Sequence, residues 1–376
     1  MELEEVIRKR IRDDGPLPFA SYVEFALYHP TLGYYSRAGQ RSGRAGDFFT
    51  SVDLGPSFGE MLAVQFNEMW TELGTERFDL VEAGAGNGRL TRDILSAASR
   101  KSPAFYSAID VHLVERSSAA RDLQLITLGN HTEKLASSGE TIPPDIDGVI
   151  FANELLDAFP PHVLVMTDNG LREVYVDNES DGTFIERLGP VSGHRVQKHI
   201  DTYGIVLQPG WRVEVTPDTV DWVREATNSL NRGFLLLVDY GHEAHELYSA
   251  AHARGTLTTY SRHHIETVDA SKKSWLVDPG SKDITSHVDI TCVRKTAESN
   301  GANTLGILDQ TYFLIGLGIG TATNRDTNAL SEIKQRLAVK SLILPGGLGS
   351  TQKVMVFGKN VGQPQLTGLS YQMRIT

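Results

Sequence analysis

A short apolar strand that leads into three alternate glycines and then into an amphipathic helix is the most constraining feature of this chain. Residues 78–90 have the sequence FDLVEAGAGNGRL, and the glycines are Gly84, Gly86 and Gly88. Glycine has no Cβ, so the backbone can turn sharply here and a ligand can approach the loop amides closely. The stretch therefore predicts an α/β fold with a loop that binds a nucleoside cofactor.

The spacing of the glycines bears on which cofactor is bound. The dinucleotide fingerprint is G-x-G-x-x-G, in which the third glycine packs the helix against the strand. Arg89 occupies that position here, and Glu82 stands two residues before the first glycine. This arrangement is similar to the first motif of class I S-adenosylmethionine (SAM) methyltransferases, in which the acidic residue and the loop amides hold the aminocarboxypropyl end of the cofactor. SAM is therefore the favoured cofactor. A nicotinamide cofactor, which would make the protein a dehydrogenase, is a remote alternative.

A second predicted strand ends in a carboxylate. Residues 111–115 have the sequence VHLVE, and Glu115 lies 27 positions after Gly88. A carboxylate in this place can accept hydrogen bonds from both ribose hydroxyls of an adenosine. A glycine cluster alone is often only a tight turn, and a glutamate at a strand end is often only solvated. Together, in a βαβ context, they predict a nucleoside cofactor.

Composition limits the classes of protein that remain. The 376 residues, 40% of them apolar and 35 of them glycine, can bury a full α/β core with an elaboration. The net charge of −11 argues against a partner such as duplex nucleic acid, which needs a basic face. The single Cys292 excludes an internal disulfide and a multi-cysteine zinc site. We predict no metal centre.

The apolar runs also bear on location. Residues 1–12 have the pattern of a charged amphipathic helix rather than of a signal peptide. The longest apolar run, residues 313–320, is too short to cross a bilayer. We therefore expect a cytoplasmic protein with no membrane span.

The remaining apolar runs predict a mostly parallel sheet. Buried strands are expected at residues 147–152 and 233–241. Residues 342–358 have the pattern of two strands joined by a glycine-rich turn, after a helix near residues 330–337. Such a terminal strand pair would close a class I SAM-methyltransferase Rossmann-like sheet, whose last strand is antiparallel.

We expect four segments in the chain. They are an N-terminal helical and looped collar that contributes to the active site (1–75), the SAM-binding half of the core (76–160), an inserted antiparallel and helical subdomain (161–231), and the remainder of the core with a cap at 241–309 (232–376). The insertion could also supply the surface of a homodimer.

Polar residues follow the third predicted strand directly. Residues 153–160 have the sequence NELLDAFP, and the carboxyl ends of parallel strands face the ligand crevice. Asn153, Glu154 and Asp157 should therefore lie at the edge of the active site. On one helical turn, Glu154 and Asp157 would share a face, and two carboxylates there can bind a guanidinium in bidentate geometry. Capping of the helix is their alternative role.

Motifs along most of the chain together resemble the MidA family of SAM-dependent methyltransferases. They are YHP at 28–30, GYY at 33–35, GDFFT at 46–50, FGE at 58–60, the glycine loop, NELLDAFP at 153–160, VDYG at 238–241, GTL at 255–257 with Tyr260 and His263, PG at 279–280, DIT at 283–285, HVD at 287–289 and PGGLG at 345–349. Mitochondrial members of that family methylate an arginine on a complex I subunit during assembly. The resemblance implies an arginine-containing protein as methyl acceptor.

The sequence departs from the family pattern in three places. Ala85 stands where relatives often have proline, the spacing between His263 and Pro279 is loosened, and residues 130–133 lack an expected tryptophan. These positions bear on the acceptor more than on the cofactor.

The motifs and the resemblance give a set of site residues. The expected cofactor-binding residues are Glu82, Gly84, Gly86, Gly88, Glu115, Asn153, Gly46 and Thr50. The expected catalytic residues are Glu154, Asp157 and Asp47. They would orient the guanidinium, polarise it and accept the proton that it sheds, with Glu154 the first choice. His162, His263 and His287 are alternative bases.

Two other functions are compatible with the same residues. Fold and cofactor do not dictate the acceptor, so the chain could methylate a nitrogen or oxygen of a small molecule or of a peptide natural product. It could also be a non-catalytic assembly chaperone that binds SAM and holds a client subunit.

Overall fold

A computed structural model of the chain describes residues 2–36, 51–261, 264–265, 273–320, 337, 339–343 and 351–371. The helices are α1 (Leu3–Asp14), α2 (Phe19–Tyr28), α3 (Ser57–Leu73), α4 (Arg89–Lys101), α5 (Pro103–Ala108), α6 (Ser118–Leu128), α7 (His194–Tyr203), α8 (Pro217–Ser229), α9 (Ala244–Leu247), α10 (Ile290–Ser299) and α11 (Gln310–Gly316). The strands are β1 (Leu17–Pro18), β2 (Phe78–Ala83), β3 (Ile109–Val114), β4 (Leu135–Gly139), β5 (Ile146–Asn153), β6 (His162–Thr167), β7 (Gly170–Asn178), β8 (Phe184–Gly189), β9 (Arg212–Val215), β10 (Leu230–His242), β11 (Thr258–Ser261), β12 (His264–Ile265), β13 (Asp283–Thr285), β14 (Val288–Asp289), β15 (Asn303–Asp309) and β16 (Gln352–Lys359).

The central sheet has the strand order β15-β16-β10-β5-β2-β3-β4. The strands from β4 to β10 in this order run parallel, and β16 runs antiparallel to both of its neighbours. This confirms the predicted class I Rossmann-like sheet. The strand order reverses between β2 and β5, so the crevice beyond their carboxyl ends is where a ligand binds in an open sheet of this type.

The central strands are apolar nearly throughout, because helices cover both faces of the sheet. β5 buries six of its eight residues. On one face, Phe66 of α3 packs on Phe151 of β5 with 5.1 Å between ring centroids. On the other face, Val223 of α8 and Val293 of α10 belong to one buried cluster with β5 and β10. The carboxyl ends of the strands are thereby held rigidly beneath the crevice.

A second, antiparallel sheet lies in the inserted segment. Its order is β1-β7-β6-β9, with β8 on the other edge of β7. β1 comes from the N-terminal segment, where Leu17 pairs with Val176 of β7. Ile7 of α1 and Val23 of α2 share a buried cluster with this sheet. The part of the collar that carries α1, β1 and α2 therefore packs with the insertion, whereas α3 packs on the central sheet. The division of the chain at residues 75, 160 and 231 stays a prediction.

The predicted terminal strand pair is wrong in its first half. Residues 339–343 are helical, and the strands beside β16 are β10 and β15. A short apolar run such as residues 342–344 fits a buried helix as well as a strand, so periodicity alone does not separate them. Residues 344–350 and 331–336 lie outside the described residues, and with them most of the predicted helix near 330–337.

The segment predicted as a helical and looped cap, residues 241–309, contains more sheet than expected. It supplies β15 to the central sheet. It also supplies all three strands of a small sheet, β11, β12 and β13. Among the residues that the structure describes, no helix has the length and apolar character needed to cross a membrane.

The packing of Phe66 gives a stability prediction. Phe66 is fully buried, and Phe66→Ala would remove a large side chain from a rigid core. We expect a loss of about 3–5 kcal/mol in the free energy of unfolding, measured by urea denaturation. The control is Leu125→Ala on α6, where the side chain is 57% exposed and the expected change is within about 0.5 kcal/mol. Equal losses in the two variants would contradict the described packing.

Candidate active site

The glycine loop joins β2 to α4 at the crevice. Gly84, Gly86 and Gly88 have φ angles of 69°, 52° and 83°, a left-handed region that is costly for residues with a Cβ. A Cβ on Gly84 would lie 3.1 Å from Leu155 Cδ1, whereas a Cβ on Gly86 would meet nothing within 4 Å. Gly86 therefore borders open space on the side where a Cβ would lie, and a ligand can approach the loop there.

Two side chains fix the position of Gly86. Glu115 Oε2 accepts a hydrogen bond from the Gly86 amide at 2.9 Å, and Gln124 Nε2 donates to the Gly86 carbonyl at 2.9 Å. The other carboxylate oxygen of Glu115 accepts from the Ser117 amide at 2.8 Å. Each carboxylate oxygen has a second lone pair, so Glu115 can hold the loop and still accept from a ribose hydroxyl. Sequence reasoning missed Gln124, a buried glutamine on α6.

Glu82 lies at the end of β2 and is buried. Its Oε2 accepts hydrogen bonds from the amide, at 3.2 Å, and from the hydroxyl of Thr91 in the first turn of α4. Burial raises the pKa of Glu82 to about 8, although the bonds to Thr91 oppose that shift. Glu82 therefore anchors α4 to β2, and a cationic group placed beside it would favour its charged form.

Asn153 is the last residue of β5, at the same edge. Its Nδ2 lies 3.3 Å from Glu154 Oε1, to which it donates. Its Oδ1 is buried and has no hydrogen-bond partner among the residues that the structure describes. A buried unpaired amide oxygen costs about 1–3 kcal/mol, so a donor from a ligand would stabilise it. The open face of Gly86, the carboxylate of Glu115 and this unpaired oxygen fit the polar groups of SAM.

Glu154 does not begin a helix. Its φ angle is 51°, and its amide donates to the Val238 carbonyl of β10 at 2.8 Å. Only Leu156–Ala158 form a short 3-10 turn. The expectation that Glu154 and Asp157 share one face of a helical turn is therefore wrong. Pairing with β10 continues one residue past the end of β5, and this pairing excludes helical geometry at Glu154.

Glu154 takes part in a buried polar network. Its Oε1 accepts a hydrogen bond from Gln352 Nε2 at 2.7 Å. Gln352 Oε1 in turn accepts from the Ser51 hydroxyl at 3.0 Å, and Gln310 Oε1 lies 3.1 Å from the same hydroxyl. Burial raises the pKa of Glu154 to about 8. The Glu154 carboxyl is thus held in place by Gln352 of β16, and its pKa lies close to neutral pH.

Asp157 belongs to a cluster of buried acids. Asp157 is only 8% exposed, and the exposed fractions of Asp239 and Asp283 are 2% and 3%. Burial raises the pKa of Asp157 well above its usual range, and the negative charges of Asp239, Asp283 and Glu154 raise it further. The structure therefore brings Glu154 and Asp157 together electrostatically, although not on a helix.

Asp239 and Asp283 were missed as site residues from the sequence. Asp239 Oδ2 accepts hydrogen bonds from the amides of Leu155 at 3.1 Å and Leu156 at 2.7 Å, and burial raises the pKa of Asp239 to about 7. Asp239 follows an apolar run at a strand end, the same signal that identified Asn153. Asp283, by contrast, begins a strand, and its motif, DIT at 283–285, supported the family resemblance without indicating a role for its carboxylate.

Two tyrosines from the collar line the acidic cluster. The Tyr35 hydroxyl lies 3.0 and 3.1 Å from the two carboxylate oxygens of Asp283, to which it donates. The Tyr28 ring stacks on the Tyr35 ring with 5.3 Å between centroids, and its hydroxyl donates to the Ala158 carbonyl at 2.9 Å. The collar thus supplies an aromatic wall to this site.

The other predicted site residues have different outcomes. Asp47, Gly46, Thr50 and His263 lie outside the described residues. The ring of His162 is 2.7 Å from Glu173 Oε1 within the inserted sheet, which gives it a local partner. Residue His287 follows Ser286, whose amide donates to the Asp157 carbonyl at 3.2 Å.

Comparison with known proteins agrees with this geometry. Residues 61–308 match the family described as "Putative S-adenosyl-L-methionine-dependent methyltransferase". Mouse (Mus musculus) mitochondrial protein arginine methyltransferase NDUFAF7 is 30% identical over 339 residues, which cover 82% of this chain and 72% of that protein. The zebrafish (Danio rerio) protein of the same name is 31% identical over 337 residues, covering 83% and 76%.

Solved structures give the same result. A Burkholderia thailandensis protein, described as a "likely methyl transferase" and solved with S-adenosyl-homocysteine bound, has a TM-score of 0.88 and 28% identity to this chain. The match covers 99% of this chain and 95% of that one.

Glu115 gives a prediction for cofactor binding. Glu115→Ala would remove the hydrogen bond to Gly86 and the carboxylate that we expect to accept from the ribose. We expect SAM to bind about 10- to 100-fold more weakly in calorimetric titration, since hydrogen bonds to a charged group contribute about 1.5–3 kcal/mol. Glu225→Ala, an exposed position on α8, is the control and should bind SAM normally. Unchanged affinity in Glu115→Ala would place the cofactor elsewhere.

The raised pKa of Glu154 gives a prediction for stability against pH. A folded-state pKa of about 8, against an ordinary value of 4.5, means that the folded state keeps a proton that the unfolded state has lost. This contribution to stability is fully present below pH 4.5 and is lost as the pH rises to about 8. The melting temperature of the cofactor-free protein should therefore fall less over this range in Glu154→Gln than in the wild type. Glu225→Gln should follow the wild type, and an unaltered slope in Glu154→Gln would contradict the shift.

Proposed function

Because the chain belongs to this family of SAM-dependent methyltransferases, we propose that it transfers the methyl group of SAM to an arginine side chain of a protein. The observation that carries the proposal is the cluster of buried acids formed by Glu154, Asp157, Asp239 and Asp283. Arginine methyltransferase is also the name of the mouse and zebrafish relatives. The resemblance in motifs extends the proposal to a subunit of respiratory complex I as the acceptor.

The acidic cluster suits a guanidinium by charge. The charges that act most strongly on Asp157 are negative, and buried like charges cannot all ionise without a cation beside them. A guanidinium keeps its charge in proteins and offers donors in a planar fork that matches carboxylates. An arginine that enters the cluster would therefore displace protons and pair with the carboxylates that it leaves charged.

The same acids can serve the chemistry. When bound, SAM supplies an electrophilic methyl group. The arginine nitrogen loses one proton for each methyl group that it gains, so a base is needed close to that nitrogen. Glu154 has a pKa of about 8, in the range that suits a general base near neutral pH. We assign it, with Asp157, to orient the guanidinium and to accept this proton. Asp47 keeps its predicted role as a third acid.

The collar contributes the positioning surface. Tyr35 donates to Asp283, and Arg116 Cζ lies 4.5 Å from the centroid of the Tyr28 ring. These rings, packed beside the acids, would keep water away from the reacting nitrogen and hold the aliphatic part of the acceptor side chain. Alignment of this kind is the main contribution that a protein makes to a direct methyl transfer.

Other features of the function stay predictions. A small-molecule acceptor would use the same acids with a smaller cation, and a homodimer would use the insertion. The cytoplasmic location also stays a prediction, because the relatives are named as mitochondrial proteins.

The test uses cells of the natural source from which this protein has been removed. Proteins extracted from those cells are incubated with the purified protein and radiolabelled SAM, and the labelled amino acids are then identified. We expect labelled methylarginine. Asp157→Asn should lower the rate about 100-fold, in line with the loss of a positioned acid or base, while calorimetry shows normal SAM binding.

Asp168→Asn, in an exposed turn of the insertion, is the matched control and should keep full activity. Label found only in small molecules would replace the protein acceptor with a small one. Absence of any labelled product despite tight SAM binding would favour the chaperone alternative.

A further inference from the structure

Three histidines converge beside the active site, although they are distant in sequence. His242 ends β10, His252 lies in a single 3-10 turn at residues 250–252, and His287 lies between β13 and β14. One ring nitrogen from each histidine lies within 4.8 Å of the others. The ring centroid of His242 lies 4.6 Å from that of His252 and 5.1 Å from that of His287. All three residues are only half-buried, so an ion from solvent can reach them.

Two of the rings are oriented by one residue. His242 Nδ1 lies 3.1 Å from the Glu246 carboxylate, and His252 Nδ1 lies 3.0 Å from the Glu246 main-chain carbonyl. Nitrogens that face oxygen acceptors in this way carry the proton, which leaves Nε2 of each ring with a free lone pair. A carboxylate or carbonyl on the far nitrogen is the usual arrangement around metal-binding histidines.

The third ring lacks such a partner. His287 Nδ1 is buried and makes no hydrogen bond with any residue in the described part of the chain, whereas the His287 amide donates to the Thr256 hydroxyl at 3.0 Å. The backbone therefore fixes the residue, and the ring keeps an unused nitrogen. A buried polar atom without a partner is uncommon and requires an explanation.

We propose that His242, His252 and His287 form a binding site for one divalent transition-metal ion of the zinc class. Neutral imidazole is a preferred ligand of zinc, copper and nickel, and three histidines are a known zinc ligand set. Zinc–nitrogen bonds of about 2.0–2.1 Å require the three nitrogens to move closer than 4.8 Å. The rings close on the ion when it binds.

The position of the site indicates its role. His242 lies three residues after Asp239 on the same strand, and the amide of Ser286, next to His287, donates to the Asp157 carbonyl at 3.2 Å. A bound ion would join the end of β10 to the β13–β14 segment and to residues 250–252. It would thereby hold the segments that carry Asp157, Asp239 and Asp283, so the role of the ion is structural. The site does not depend on the identity of the methyl acceptor.

The experiment uses untagged, chelator-treated protein, with ZnCl2 in calorimetric titration and CoCl2 in absorption spectroscopy. We expect one equivalent of zinc to bind, a rise in melting temperature on binding, and visible d–d bands of cobalt bound to nitrogen ligands. His252→Ala and His287→Ala should each bind zinc at least 10-fold more weakly. Glu246→Gln keeps the three ligands and should weaken binding by about 10-fold, through the lost partner of His242.

The control is His194→Ala, an exposed histidine at the start of α7, which should bind zinc as the wild type does. Circular dichroism of each variant would establish that it is folded, and Glu246→Gln serves if a histidine variant is not. The proposal is overturned if the folded wild type shows no saturable binding, or if binding is the same in His252→Ala, His287→Ala and Glu246→Gln as in His194→Ala.

Discussion

The acidic site depends on one carboxylate, that of Asp239, which holds the chain as it leaves the neighbouring strand. Asp239 ends the apolar part of β10 and accepts hydrogen bonds from the amides of Leu155 and Leu156. The Glu154 amide, one residue earlier, is held by the Val238 carbonyl. These three bonds bend the chain away from helical geometry and place Glu154 and Asp157 beside β10. Loss of the Asp239 carboxylate would leave two buried amides unpaired.

Burial of these acids is costly, and the protein lowers the cost by keeping protons on them. The pKa of Asp239 rises to about 7, that of Glu154 to about 8 and that of Asp157 well above its usual range. A buried carboxyl that stays neutral avoids the large penalty of a buried charge. The same acids regain their charge when a cation enters. A cluster of this kind favours a cation over a neutral group, which is why we propose a guanidinium, charged at every physiological pH, as its ligand.

The N-terminal collar and the insertion complete the site from outside the central sheet. β1 pairs with β7, so the segment that carries Tyr28 and Tyr35 is tied to the insertion. Tyr35 then reaches across to Asp283 of β13, in the small sheet. Three parts of the chain that are far apart in sequence thus meet at the carboxyl ends of β5 and β10. This arrangement supports the expectation that the collar contributes to the active site although it precedes the cofactor loop.

The sequence alone was enough to predict the four central strands, the turn at Gly84 to Gly88 and the cofactor, while the roles of Glu115 and Glu154 stay predictions. Each of these follows from local information: apolar runs bounded by turn residues, glycines where left-handed backbone is needed, and polar residues at strand ends. Asp239 carried the same local signal, but a single polar residue at a strand end does not tell which amides it will hold.

Only the tertiary structure decided the rest. The conformation of Glu154 is set by pairing with β10 and not by its neighbours in sequence, so the helical turn expected there does not form. Leu342 is buried in a helical segment, and β16 pairs with β15 instead, because an apolar run reports burial but not the partner that covers it. The contacts of Gln124, of Asp283 and of the three histidines do not follow from their neighbours in sequence. Their roles arise from contacts between distant segments, which chain connectivity and packing create and which no local pattern records.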